Sequence, residues 1–361
     1  MKQVLSAIIV STLVVLFIFS SLSLIEANPF STHPYYPLIS ISEEGILYYS
    51  SGAVPTESKD LIRQEGNTYF LTEDISGYCI AITCDNIVFD GNNYSINCGG
   101  GGLLEYGIAI KYHYNVLVKN VAIVGFNYGV GLLESANCTI NAVTVSGCNR
   151  GIQFAESGDI QVSNSELCNN NYGVNFDLSS CNRLINNSLL SNQEGIHIFN
   201  SQNNKVVGNT IKNSNLAVSF EYTSHSLADV LPINNVFYLN SFINNTQQVC
   251  MVEIKSVIET ENASFSNDWD FNQQGNYWSD YSNKGPYVIN QNNTDNYPFI
   301  QQVDMNIILL NPVATLQTAS ETGSQPSTLT VTVAVGLGII VSAFVLSLLF
   351  FRWRQKKLIP E

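Results

Sequence analysis

A chain of 361 residues with 45% hydrophobic and 12% charged residues holds enough apolar material for a core, which excludes an intrinsically disordered chain. Its formal net charge of −14 argues against a nucleic-acid partner, whose phosphates need a basic face. Such a surface suits cations, salt or plain solubility instead.

In chain order, Met1 and Lys2 precede an apolar run from Val4 to Leu24, and the small residue Ala27 follows shortly after. A short basic start, an apolar stretch and a small residue at its end describe a secretory signal over residues 1–27, with a retained N-terminal anchor as the alternative. Residues 28–66 are a lead-in and N-terminal cap, with strands expected at Leu38–Ile41 and near Ile46–Tyr49. From Asn67 to Asp90 apolar and polar residues alternate, so the first coils are expected here, and Gly99–Gly102 mark a loop.

From Gly107 onward the chain keeps a beat of 22 residues: Gly107, Gly129, Gly151, Gly173, Gly195 and Ala217. In phase with it run Ile108, Val130, Ile152, Val174, Ile196 and Val218, then Ile110, Leu132, Phe154, Phe176, Ile198 and Phe220. Two further columns begin at Val118 and Ile123. Repeats at a fixed period announce a solenoid. The apolar positions lie two apart and are rich in β-branched residues, the period of a strand with one buried face. Asn, Ser and Gly, all turn formers, separate them. A leucine-rich repeat shares this period, but the leucine frame is missing and the connecting residues are poor helix formers. The expected fold is therefore all-β, a right-handed parallel β-helix of about 22 residues per coil, with each coil about 4.8 Å above the last.

Polar columns mark the corners. Asn127, Asn149, Asn171, Gln193 and Asn215 stand 22 apart; the pattern predicts stacked amides and left-handed backbone at this corner. Ser135, Ser157, Ser179 and Ser201 mark a second corner, with Asn137, Asp159, Cys181 and Asn203 two residues on.

The beat breaks at His225–Pro232 and resumes at Asn235–Asn245, giving a β-helix over 67–245 and a C-terminal cap over 246–311. Residues 312–328, rich in Ser and Thr, read as a stalk. Leu329–Phe351 is uncharged and exceeds the roughly 20 residues that cross a bilayer. Arg352, Arg354, Lys356 and Lys357 follow it, so a transmembrane helix is expected over 329–351. The expectation is a single-pass membrane protein with its body outside the cell and a cytoplasmic tail over 352–361.

Candidate sites are few. The polar strip Gln153, Asn175, His197 and Ser219 faces outward and is a candidate sugar-binding surface. Arg183 and Lys205 stack as an anion site would require, though no three-carboxylate cluster accompanies them. Glu134 and Glu156 also stack, with Asp177 one residue out of phase; paired carboxylates can hold Ca²⁺ or divide acid and base roles. They also fit solvated turn residues. The histidines fall in no repeated ligand spacing and no CxxC occurs, so neither a metal site nor a catalytic residue is assigned. The eight cysteines permit disulfides, with Cys79 and either Cys84 or Cys98 as the best pair, while Cys148 and Cys168 lie on a diagonal too long for an easy bridge. Sequons stand at Asn93, Asn137, Asn186, Asn244, Asn262 and Asn292.

Three stretches carry a family resemblance: Gly66–Asp74 with Asp85–Ile96, the coils clearest over Gly173–Ser214, and Asn272–Ile300 with GNYWSDY and DNYPFI. Over roughly residues 40–302 the chain resembles the right-handed β-helix repeats of the NosD-like group, in the form seen on archaeal cell surfaces. That group overlaps a carbohydrate-binding and sugar-hydrolase repeat class. The resemblance implies the fold; copper is implied by the group name, and the scarcity of His and Met clusters counts against it. A loop that is longer and acidic in many relatives is cut here to Ser282–Ile289, which weakens the case for calcium. Two functions follow: a non-catalytic ectodomain that binds polysaccharide or other envelope components, or a lyase or glycosidase working in a groove along the coils. Three carboxylates and a basic residue meeting in one open groove would mark the enzyme.

Overall fold

The computed structural model describes residues 37–49, 60–99, 105–223, 230–256, 259–263 and 265–303. The expected signal peptide (1–27), stalk (312–328), transmembrane helix (329–351) and tail (352–361) lie outside them. Among the described residues no helix is long and apolar enough to cross a membrane.

The described chain winds through three parallel sheets, one strand to each per coil. The first has eleven strands and includes 106–111, 128–133, 150–155, 172–177, 194–199 and 216–223. The second and third have nine strands each, through 117–119, 139–141, 161–163 and through 122–124, 144–146, 166–168. Register follows the beat: Val130 pairs with Ile108 on one side and Ile152 on the other, and Ile152 pairs with Val174. The fold is a parallel β-helix. Ile108, Val130, Ile152 and Val174 are fully buried, as are the columns of Val118 and Ile123. Apolar columns stacked coil on coil thus make one continuous core.

The glycine column has a steric cause. A Cβ on Gly151 would stand 2.5 Å from the Gly173 carbonyl oxygen, and one on Gly173 would stand 2.6 Å from that of Gly195. No side chain fits beneath the next coil there, so the beat needs glycine until Ala217.

Corners differ from expectation in one respect. The left-handed positions include Asn120, Ala142, Asn164 and Asn186, the column from Asn137 through Asp159 and Cys181 to Asn203, the column Glu134, Glu156, Leu178 and Asn200, and the column Gly125, Gly147, Asn169, Ser191 and Asn213. The Asn127 column is not among them. Its amides instead bond along the stack, Asn149 Nδ2 to Asn127 Oδ1 at 2.8 Å and Asn171 Nδ2 to Asn149 Oδ1 at 2.9 Å. Inside the turns run two further ladders. In one, each of Asn182, Asn204, Asn235 and Asn267 donates its backbone N–H to the amide oxygen one coil on, ending at Asn293. In the other, Asn187, Asn209 and Asn240 do the same, ending at Asn276. All nine are buried.

The solenoid outruns 67–245 at both ends. Leu38–Ser42 pairs in parallel with Cys79–Ile82, so the lead-in is already a coil. Gln247–Ser256 joins the first sheet and Tyr277–Trp278 the third. Past the break in the beat, Val236 pairs with Lys205, 31 residues back rather than 22.

All eight cysteines are free thiols. Cys79 and Cys84 flank one extended strand, which sets them roughly 16 Å apart at about 3.3 Å per residue. Cys79 takes the glycine position of the first coil, and burial pushes its thiol up to about 12. Cys98 packs at a corner against Gly125.

Candidate functional site

The outer face of the first sheet carries three columns. One reads Tyr106, Tyr128, Arg150, Tyr172 and Glu194; the next Ala109, Gly131, Gln153, Asn175, His197 and Ser219; the third Lys111, Leu133, Ala155, Asp177, Phe199 and Glu221. Because coils repeat in register, residues far apart in sequence become neighbours along a column.

The first column is a stack. The rings of Tyr106 and Tyr128 lie 4.9 Å apart and nearly parallel. The Arg150 guanidinium sits 5.4 Å from the Tyr128 ring and 5.5 Å from that of Tyr172, held between two aromatic faces. Lys111 Nζ lies 4.4 Å over the Tyr106 ring. Arg150 Nε is buried with no hydrogen-bond partner among the described residues. Beside this stack the small residues Gly131 and Ala155 leave a notch of about 140 Å³, which Tyr106, Lys111, Arg150 and Asp177 help to line. A Cβ on Gly131 would stand 2.4 Å from the Tyr106 ring, so only glycine keeps the notch open.

The electrostatics are mixed. Burial lowers the Lys111 ammonium from its usual range, with Glu105 opposing. Burial raises the Asp177 carboxyl above the usual carboxylate range; Arg150 and His197 oppose this, while Glu156 and Glu221 add to it. His197 stands against Tyr172, 5.1 Å between ring centroids, with Nε2 3.4 Å from Glu221 Oε2. Glu194 accepts from Ser219 Oγ.

The expected polar strip is present but turned in on itself. Gln153 and Asn175 are buried; Asn175 Nδ2 donates to Gln153 Oε1 at 2.6 Å, and Asn175 Oδ1 faces His197 Nδ1. The strip is a floor rather than a contact surface. Arg183 and Lys205 are adjacent, as the register requires, but on the second sheet and away from that strip. Glu134 and Glu156 stack at a left-handed corner, where burial and then the Glu156 charge raise the Glu134 carboxyl. Asn93, Asn137, Asn244 and Asn292 are exposed. Asn186 is half-buried, its Nδ2 donating to Asn164 Oδ1, so a glycan there would break the ladder; the side chain of Asn262 lies outside the described ones. Reading single columns missed the stack of Tyr106, Tyr128, Arg150 and Tyr172 and the grouping of Asp177, Glu194 and Glu221 around it. Their shared multiples of 22, taken column against column, carry that signal.

A family model described as "Periplasmic copper-binding protein (NosD)" matches residues 56–283. Solved structures are similar at the level of fold. The periplasmic alginate epimerase AlgG is 18% identical over 49% of this chain and 47% of its own, with a TM-score of 0.38. An exopolygalacturonase from Thermotoga maritima is 14% identical over 55% of this chain and 59% of its own, with a TM-score of 0.37. DFA-IIIase from Arthrobacter chlorophenolicus is 13% identical over 54% of this chain and 56% of its own, with a TM-score of 0.34. The match spans about half the length of each. A search of curated proteins finds no match. The copper in the family's description finds no fitting donor set: among the described residues no three His, Cys, Asp or Glu side chains group as metal ligands. His113 is held by Asp85 and His197 faces Asn175 and Glu221. The Met251 thioether Sδ accepts from Asn290 Nδ2 and Asn293 Nδ2 and stands in no His or Cys cluster among the described residues. By the length of the family match and by the repeat that underlies it, this chain belongs to the NosD family.

Proposed function

We propose that this protein is an extracellular, membrane-anchored β-helix that binds polysaccharide of the cell envelope along the outer face of its first sheet, without turnover. The observation that carries the reading is the stack of Tyr106, Tyr128, Arg150 and Tyr172 beside a notch. Aromatic faces take up the apolar side of a sugar ring, while a few convergent polar groups fix its orientation. One such residue per coil, about 4.8 Å apart, suits a linear chain laid along the solenoid axis. The signal and the apolar run at 329–351 support the location, as does the family's periplasmic description.

Asp177, Glu194 and Glu221 with Arg150 and His197 favour a second reading, a lyase or glycosidase on the same face. The binding reading is preferred because Glu194 is engaged by Ser219 and Glu221 by His197, which leaves Asp177 as the carboxylate on the notch. Glycosidic cleavage by the usual two-carboxylate route needs a second, free one. The test is a glycan array with the full chain, followed by product analysis on every glycan retained. Retention without shortened products is expected; release of shortened or unsaturated products would replace this reading with the enzymatic one.

A further inference from the structure

We propose that the notch floored by Gly131 and Ala155 is a subsite for a carboxylate-bearing sugar ring, seated beside Tyr106 and Tyr128 with its carboxylate taken by Arg150 and Lys111. This names the substrate class of the face described above and rests on that reading. Four observations converge on it. Arg150 is clamped between two tyrosine rings, so its planar fork is fixed before a ligand arrives. Its Nε is buried without a hydrogen-bond partner among the described residues, a donor left for something that is not protein. Lys111, on the far side of Gly131, brings a second cation to the same notch. The small residues Gly131 and Ala155, in neighbouring columns, make room for a ring.

Charge decides between an acidic and a neutral sugar. The chain as a whole is strongly acidic, with a formal net charge of −14, so two cations set around one notch stand against the prevailing field. A neutral ring offers Arg150 Nε only an uncharged hydroxyl oxygen. A carboxylate satisfies it through charge-assisted bonds, about twice as strong as neutral ones. Asp177, which also lines the notch, is the acceptor for a ring hydroxyl.

The experiment is calorimetric titration of the full chain with a galacturonate hexasaccharide and with the same hexasaccharide after reduction of every carboxylate to an alcohol. The acidic oligosaccharide is expected to bind at least tenfold more tightly, the range that charged hydrogen bonds supply. Arg150→Gln is expected to remove that preference, so that the two oligosaccharides bind with like affinity. Gly131→Leu, which fills the notch and displaces the Tyr106 ring, is expected to abolish binding of both while the β-sheet circular-dichroism spectrum is retained. Equal affinity for the two oligosaccharides, or an undiminished preference in Arg150→Gln, overturns this inference and leaves polysaccharide binding standing. Failure to bind either these or any glycan of the array overturns both.

Discussion

At the scale of single residues, Asp177 is a carboxylate whose environment opposes its charge. Burial raises its carboxyl above the ordinary value of 3.8, and Glu156 and Glu221 push the same way against Arg150 and His197; Lys111 lines the same notch. An acid whose folded pKa lies above its unfolded one holds its proton more tightly in the native state. Stability is then greatest below the unfolded value and falls as pH rises through the folded one. Asp177→Asn, which cannot ionise, should therefore raise Tm at pH 7 and should add nothing at pH 3.5. Scans at both pH values check this. An equal gain at both would place its cause in packing rather than in charge.

At the scale of elements, the strands were legible in the sequence because burial enforces period two within a strand and 22 between coils. Ile108, Val130, Ile152 and Val174 could be named as a column before any coordinate. The turns were less legible, since Asn serves three different purposes in them. Asn186 supplies a left-handed corner, Asn171 an exposed amide ladder, and Asn209 a buried one, and composition alone does not tell these apart. The outer face was legible in part: Gln153, Asn175 and His197 were found as a column, but the stack around Arg150 appears only when neighbouring columns are superposed. The buried ladder yields a prediction that separates these roles. Asn209 Nδ2 donates to the Leu184 carbonyl at 2.9 Å and to Asn240 Oδ1, while its own Oδ1 accepts from the Asn187 backbone. Asn209→Ala strands several buried backbone groups at about 1–3 kcal/mol each. A total loss of about 2–5 kcal/mol is expected by urea unfolding, against under about 1 kcal/mol for exposed Asn171→Ala. Comparable losses in the two variants would mean that the interior amides are no more than spacers.

At the scale of the whole molecule, a solenoid has to finish, because its last coil bares strand edges that would pair with another chain. Both ends of the first sheet turn back on themselves: Gly45–Tyr49 runs antiparallel to Leu38–Ser42, and Glu259–Asn262 antiparallel to Gln247–Ser256. The upper end adds an aromatic plug. Trp278 stacks on Phe242 at 4.3 Å and under Tyr287 at 4.3 Å, and Trp269 stacks on Phe237 at 4.5 Å. Trp278 Nε1 also donates to Asp295 Oδ2 at 2.9 Å, the oxygen that accepts the Asn276 N–H at the end of the buried ladder. The plug thus closes the apolar core and the amide ladder at one point. Trp278→Ala should cost about 3–5 kcal/mol and leave Asp295 buried with one donor fewer. Because that energy is spent at the end coil, fraying there should precede global unfolding and expose the sheet edges. The expected result is earlier amide exchange across Gln247–Ser256 and Ser241–Ile243, together with concentration-dependent association on size exclusion. Uniform exchange along the coils, with the variant still monodisperse, would show that the plug is dispensable to the closure of the tube.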